Sequence, residues 1–276
     1  MKFTKMQGAG NDYVYVDCTQ SEMGNPNELS VKVSDRHFGV GADGLVLICP
    51  SAVADFKMRM FNADGSEAQM CGNAARCIGK YVYEKGLTTQ TDLRLETLAG
   101  TKRLLLFVQN NAVEKVQVDM GAPELTPAKI PVKVDAEQVV NFPIEIAGHQ
   151  FNFTAVSMGN PHAVIFVDDV QNFDVHGIGK IIETHPLFPE KVNVEFVQFI
   201  NQTELKMRVW ERGSGETWAC GTGACAALVA ASLNHIIGKK ATLHLLGGDL
   251  EIDWRNDGHV YMTGGAVTVF EGEYLW

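Results

Sequence analysis

Residues 57–77 read KMRMFNADGSEAQMCGNAARC, and residues 206–226 read KMRVWERGSGETWACGTGACA. Aligned without a gap, they share Lys57/Lys206, Met58/Met207, Arg59/Arg208, Glu67/Glu216, Cys71/Cys220, Gly72/Gly221 and Ala75/Ala224, each pair 149 positions apart. The same offset carries Gly10-Asn11 of GAGNDYVYVD onto Gly159-Asn160 of SMGNPHAVIFVD, and both lead into an apolar, β-rich run ending in Asp. One register kept across two separated segments reads as an internal duplication. Two related halves are expected, each with Cys-Gly at the head of a small-residue segment.

The bulk composition fits that plan. At 276 residues the chain suits two domains of about 100–150 residues, and 46% hydrophobic with 20% charged residues is ordinary globular composition. A net charge of −10 argues against a nucleic-acid partner, which calls for clustered Lys and Arg. No basic stretch followed by an apolar one opens the chain, and no apolar run nears the ~18 residues of a membrane span. No membrane partner and a cytoplasmic location are expected. The six cysteines, Cys18, Cys49, Cys71, Cys77, Cys220 and Cys225, include no C-x-x-C, so neither a disulfide framework nor a zinc site is expected. Cys18 and Cys49 end apolar runs (YVYVDC, LVLIC) and read as inert core.

Outward from the two phrases, YVYVD, GLVLIC, FKMRMF, LRLETLA, TKRLLLFV and VEKVQVDM have strand character. CGNAARCIGKYVYEKG places Ala74, Ala75, Ile78, Tyr81 and Val82 at helical spacing, with Gly86 as its stop. GAPELTPAKIPVKV, with three prolines, reads as a linker. The second half repeats the plan through IEIAGHQFNFTAVSM, HAVIFVDD, VNVEFVQFI and LKMRVW, then the helix CGTGACAALVAASLNHIIG stopped by Gly238. That helix is apolar on nearly every side, so it must be buried all round. Glycine turns at Gly247-Gly248 and Asn256-Asp257-Gly258 predict hairpins. The fold class expected is mixed α/β of α+β type: two pseudo-symmetric domains facing each other, each a curled, mostly antiparallel sheet or barrel wrapped on a central helix.

A helix start leaves backbone N–H groups without intrahelical partners and carries partial positive charge. A thiol placed there is expected to have its thiolate stabilised, and the N–H groups of Gly72-Asn73 and Gly221-Thr222 to bind an anion, most simply a carboxylate. Two such devices on equivalent halves suit a cofactor-free racemase or epimerase. One thiolate removes an α-proton, and the opposite thiol returns a proton to the other face. The chemistry is symmetric under exchange of roles, as the sequence is.

The chain resembles the diaminopimelate epimerase family over essentially its whole length: KMQGAGNDYVYVD, GVGADGLVLI, FNADGSEAQMCGNAARC, SMGNPHAVIFVD, FPEKVNVEFVQ, ERGSGETWACGTGACA and MTGGAVTVFEG. The resemblance implies a PLP-independent epimerase with no cofactor and no metal, interconverting LL- and meso-2,6-diaminopimelate in lysine and peptidoglycan precursor synthesis. It implies a homodimer acting on this small-molecule substrate. Cys71 and Cys220 would be the acid/base pair, with Gly72, Asn73, Gly221 and Thr222 receiving the reacting carboxylate. Asn11, Asn62, Asn160, Asn193 and Arg212 would bind substrate, Glu211 would lie near the reacting amino group, and His162 would support the geometry. Phe270 would make a dimer contact. Domains over residues 1–121 and 122–262 are expected, the strand within 263–276 returning to the first.

Plainer readings stand beside these. Asn11 and Asn160 are also good turn residues, and Arg212 beside Glu211 could form a surface ion pair. Arg59 and Arg208 sit within strands and read as structural. Among other classes, a cysteine hydrolase could use His162 as base but leaves the second Cys-Gly unexplained. A racemase of the same fold acting on another amino acid is the nearest alternative.

Overall fold

The alternating runs of the first half become strands β1 (Lys2–Gly8), β2 (Asn11–Asp17), β3 (Gly44–Cys49), β4 (Phe56–Asn62), β5 (Glu67–Ala68), β6 (Asp92–Thr97), β7 (Gly100–Gln109) and β8 (Ala112–Gly121) in a computed structural model that describes residues 1–275. Helices α1 (Pro26–Ser34) and α2 (Gly72–Glu84) accompany them. Two units partition the chain: Met1–Asp119 with the chain from Thr263 onward, and Met120–Met262.

In the first unit β1 and β2 form an antiparallel hairpin whose last pair is Gly8↔Asn11. Ala9 and Gly10 between them both have positive φ (53° and 81°), the conformation of a two-residue turn that matches strand twist. β2 runs parallel to β3, β3 antiparallel to β4, and β4 antiparallel to β5. β4 then runs parallel to β6, and β6, β7 and β8 form a meander. α2 packs on β1, β2 and β7. A Cβ added at Gly79 would come within 2.8 Å of the Leu106 side chain, so the helix lies close to the sheet there. It ends as expected at Gly86, whose φ is +70° and where Leu87 N–H closes back on the Val82 carbonyl at 2.9 Å.

The second unit contains β9 (Phe142–Ile146), β10 (His149–Ser157), β11 (Pro161–Phe166), β12 (Asn193–Asn201), β13 (Glu204–Glu211), β14 (Gly215–Thr217), β15 (Lys240–Leu245) and β16 (Gly248–Trp254), with α3 (Val175–Glu183) and α4 (Gly221–Leu233), and the unit boundary falls within β17 (Val260–Gly264). Its pairings repeat the first unit's. β10 is antiparallel to β11, β11 parallel to β12, β12 antiparallel to β13, β13 antiparallel to β14 and parallel to β15. Even the rungs match: His162↔Asn193 stands where the first unit has Tyr13↔Gly44. α4 is enclosed by β10, β11, β12, β15 and β16, which is how a helix of Ala, Leu and Val stays dry.

The last strand, β18 (Val267–Glu273), pairs antiparallel with β1 from Lys2↔Glu273 to Gln7↔Val267. The architecture is α+β and sheet-dominated, with open curled sheets rather than closed barrels.

Four features differ from the sequence reading. α4 stops at Leu233 rather than at Gly238: the Asn234 side chain donates to the Ala230 carbonyl at 2.7 Å, and His235 turns left-handed at φ 57°. The proline-rich stretch is no free linker, since Ile130 and Val132 are buried in the core of the second unit. α1 and α3 are helices where no element is expected, and both carry start signals. Pro26 opens α1 after Asn25, and the Asp174 carboxylate caps α3 by accepting from Gly177 N–H at 2.8 Å.

Candidate active site

Cys71 and Cys220 occupy the same place in their units. Each is the extended residue immediately before a helix, with Gly72 or Gly221 as the first helical residue. Their carbonyls accept the first helical hydrogen bonds, from Ala75 and Ala224, each at 2.9 Å. Neither side chain caps its own helix. All six cysteines are free thiols.

Around Cys71 the β1–β2 turn supplies the partner. Gly8 makes the approach possible, because a Cβ there would lie 3.2 Å from the Asn73 carbonyl. Asn11, just past the turn, accepts from Cys71 Sγ at 3.3 Å and from Asn73 Nδ2 at 3.3 Å, both through Oδ1. Its Nδ2 donates to Asp43 Oδ2 at 2.7 Å. A carboxylate only accepts, so Asp43 decides which end of the Asn11 amide faces the sulfur. Asp43 is held in turn by the Asp12 N–H at 3.1 Å and by Arg36 at 3.0 Å. Burial, then the neighbouring Asp12 carboxylate, push Asp43 above the usual carboxylate range. Burial pushes Asp12 the same way, but Lys5 and Arg36 outweigh it and hold Asp12 below that range. The Asn73 amide oxygen is buried and makes no hydrogen bond.

Around Cys220 the partners are different. Its sulfur lies 3.5 Å from the Thr222 hydroxyl, and Glu211 and the Gly223 N–H both bear on its protonation. Thr217 donates its hydroxyl to Glu211. Beneath the helix start, His162 is fully buried with Nδ1 2.7 Å from Glu195 Oε1 and Nε2 3.0 Å from Asn160 Oδ1. With both ring nitrogens engaged, His162 holds the side-chain oxygen of Asn160. Gly223 makes room for this arrangement, because a Cβ there would meet Glu195 Oε1 at 2.6 Å. Asn193 donates to the Pro161 carbonyl at 2.9 Å and accepts the Arg212 N–H at 2.9 Å, and Arg212 also reaches the Glu190 carbonyl at 3.0 Å.

The expectation of a lowered thiol pKa fails at Cys220. Burial first, then Glu211 and Glu195, hold its pKa well above the ordinary thiol range, against the opposing pull of Thr222 and the Gly223 N–H. The donors at a helix start are outweighed by a dry site with two carboxylates. Burial also raises Glu211, helped by Glu195 and opposed by Thr217, Cys220 and His162.

Contacts therefore gather Asn11, Cys71, Gly72 and Asn73 in one unit, and Asn160, His162, Asn193, Glu211, Arg212, Cys220, Gly221 and Thr222 in the other. Asn62 ends β4 opposite Gly44, with its side chain donating to Ser66 at 3.0 Å. Phe270 lies apart on β18, half-exposed, its ring edge-on to Phe3 at 5.8 Å. Three supporting residues escaped the sequence reading: Asp43, Thr217 and Glu195. Only Glu195 left a usable trace, as one acid inside the apolar run VNVEFV.

The chain matches the family described as Diaminopimelate epimerase over residues 3–126 and 154–269. A diaminopimelate epimerase of Acetivibrio thermocellus is 61% identical over 274 residues, spanning 99% of this chain and 98% of that protein. One from Methanococcus maripaludis strain C5 is 58% identical, spanning 99% of each. Among solved structures, a Bacillus anthracis phenazine biosynthesis protein of the PhzF family is similar with a TM-score of 0.70 at 16% identity, covering 100% of this chain and 99% of that one. A hydroxyproline epimerase from Agrobacterium vitis has a TM-score of 0.67 at 14% identity, covering 99% and 90%. Such low identities speak for a shared fold only.

Proposed function

Because the chain belongs to the diaminopimelate epimerase family, we propose that it interconverts LL- and meso-2,6-diaminopimelate, PLP-independently, with Cys71 and Cys220 as the two bases. One sulfur takes the α-proton as thiolate while the other, as thiol, delivers a proton to the opposite face. The roles exchange for the reverse reaction. The backbone N–H groups of Gly72-Asn73 and Gly221-Thr222 bind the reacting carboxylate and stabilise the charge that grows as the carbanion forms. Glu211 receives the α-ammonium, which offsets the carboxylate charge that, after burial, most disfavours the Cys220 thiolate. Asn11, Asn62, Asn160, Asn193 and Arg212 hold the remainder of the substrate, Arg212 and Asn193 at its distal amino-acid end.

The observation that carries this reading is the repeated helix start, with a free thiol beside unpaired backbone donors in both units. Incubating the purified protein with LL-diaminopimelate in D₂O, without added pyridoxal phosphate, tests it. Expected are α-deuteration and a mixture of LL and meso product; no deuterium at the α-carbon would end the proposal. The same-fold alternative, a racemase of another amino acid, is separated by offering mono-amino acids such as proline in parallel. Turnover of those and not of diaminopimelate would favour it.

The wider assignment follows the same source: a cytoplasmic enzyme supplying lysine and peptidoglycan precursors, working as a homodimer that Phe270 helps to hold. No helix among the described residues is long and apolar enough to cross a membrane. Val267, Val269 and Phe270 are about half-exposed on β18, which supports a covered position in a dimer.

A further inference from the structure

Cys18 and Cys49 take no part in the proposed reaction, yet their placement is not that of two unrelated core residues. The parallel ladder of β2 and β3 runs from Tyr13↔Gly44 to Asp17↔Ile48. It continues with Cys18 N–H donating to the Ile48 carbonyl at 2.8 Å, so the next rung sets Cys18 opposite Cys49. Both side chains belong to one face, packed with Val14, Val16, Leu45 and Leu47, and each thiol bears on the other's protonation. Adjacent strands lie about 4.8 Å apart, inside the roughly 4.4–6.8 Å Cα window of a disulfide.

The two sulfurs are unequal. Cys18 is 4% exposed, whereas Cys49 is partly open to solvent at the strand end. β4 brings Lys57 opposite Cys49 and Arg59 opposite Leu47, on the same face. The Cys18 thiol beside it favours the Cys49 thiolate most; burial works against it, Arg59 and Lys57 add to it, and Glu67 opposes. Cys18 moves the other way through Cys49, burial and Asp17. Nucleophilic character therefore sits on the reachable sulfur, and a second thiol waits behind it.

We propose that Cys18 and Cys49 form an oxidisable dithiol whose substrate is a hydroperoxide, with Cys49 as the attacking sulfur and Cys18 as the resolving one. The Cys49 thiolate attacks the outer peroxide oxygen, the O–O bond breaks, and water or an alcohol leaves as Cys49 becomes a sulfenic acid. The Cys18 sulfur then displaces the hydroxyl, which leaves as water with the Cys18 proton, and the S–S bond forms. The two sulfurs give up two electrons in all, and one peroxide is reduced.

The test uses the full chain carrying Cys71→Ala and Cys220→Ala, so that neither active-site thiol reports, with circular dichroism confirming the fold. Stoichiometric hydrogen peroxide should remove the mass of two hydrogens, reversibly with dithiothreitol, and digestion should yield one peptide pair joined through Cys18 and Cys49. Adding Cys18→Ser should leave Cys49 as a sulfenic acid that dimedone traps; adding Cys49→Ser should leave Cys18 unoxidised. Over-oxidation of Cys49 beside an intact Cys18, or no reaction at either sulfur, would overturn the proposal. Neither outcome bears on the epimerase assignment.

Discussion

The two helix starts share a motif but not an environment. Cys71 sits in a partly exposed site where one amide, Asn11, meets the sulfur, and that amide is oriented by a charged rim of Asp43, Arg36 and Asp12. Cys220 is 5% exposed and faces Glu211, with the His162–Glu195 pair fully buried beneath it. The duplicated asparagines also present opposite ends. Asn11 turns its oxygen to the sulfur because a carboxylate holds its nitrogen; Asn160 turns its oxygen to His162. The proposed two-base reaction needs two equivalent sulfurs, not two identical surroundings.

The largest effect should come from the sulfurs themselves. Cys71→Ala and Cys220→Ala should each lower kcat for LL-to-meso conversion by about 10³-fold or more with unchanged circular dichroism. Near-normal turnover by either variant would break the equivalence of the two sites.

The supports should then respond differently. His162→Ala strands the buried Glu195 carboxylate and should cost about 3–5 kcal/mol in urea unfolding. Asp43→Asn acts at a rim where Arg36 is largely exposed, so its stability cost should be about 1 kcal/mol or less. It frees the Asn11 amide to rotate, however, and kcat/KM should fall roughly ten- to a hundredfold. Equal stability losses would erase the contrast between a buried and a rim support.

A smaller effect concerns protonation. Glu211→Gln removes a negative charge that disfavours the Cys220 thiolate. The thiolate fraction at a given pH therefore rises, and alkylation of Cys220 by iodoacetamide should be faster with its midpoint moved to lower pH, leaving Cys71 unchanged as an internal reference. An unaltered profile would mean that burial alone retains the Cys220 proton.

The smallest contrast involves the duplicated arginines. Arg59 grips Glu67 through two hydrogen bonds at 2.8 and 3.1 Å, and Arg208 grips Glu216 at 2.7 and 3.0 Å. Each pair ties the strand before the turn to the short strand that leads to Cys, which explains why the phrase was written twice with Arg and Glu at fixed spacing. Arg59→Lys should cost about 1 kcal/mol or less. Arg208→Lys should cost more, since that guanidinium also donates to the carbonyls of Val170, Gln171 and Phe173.

Much of this was legible in the chain because duplication preserves local chemistry. The repeated Cys-Gly, the strand alternation and the all-apolar helix α4 each state a local requirement that any fold of this chain has to meet. α1 and α3 lie in stretches where no element is expected, although Asn25-Pro26 and Asp174 mark their starts. Asp43 gave no signal, since an Asp between Ala and Gly is an ordinary turn residue until Asn11, 32 positions away, comes to it.

By itself, then, the sequence determined that there are two homologous units, that each opens a helix with a thiol, and which backbone groups beside that thiol lack partners. Only the tertiary structure decided the direction in which the Cys220 thiol pKa moves, the orientation of the two asparagine amides and the placing of Cys18 opposite Cys49. The reason is physical. Helix starts and strand faces follow from near neighbours, whereas desolvation, charge–charge coupling and side-chain orientation depend on groups brought together from distant parts of the chain.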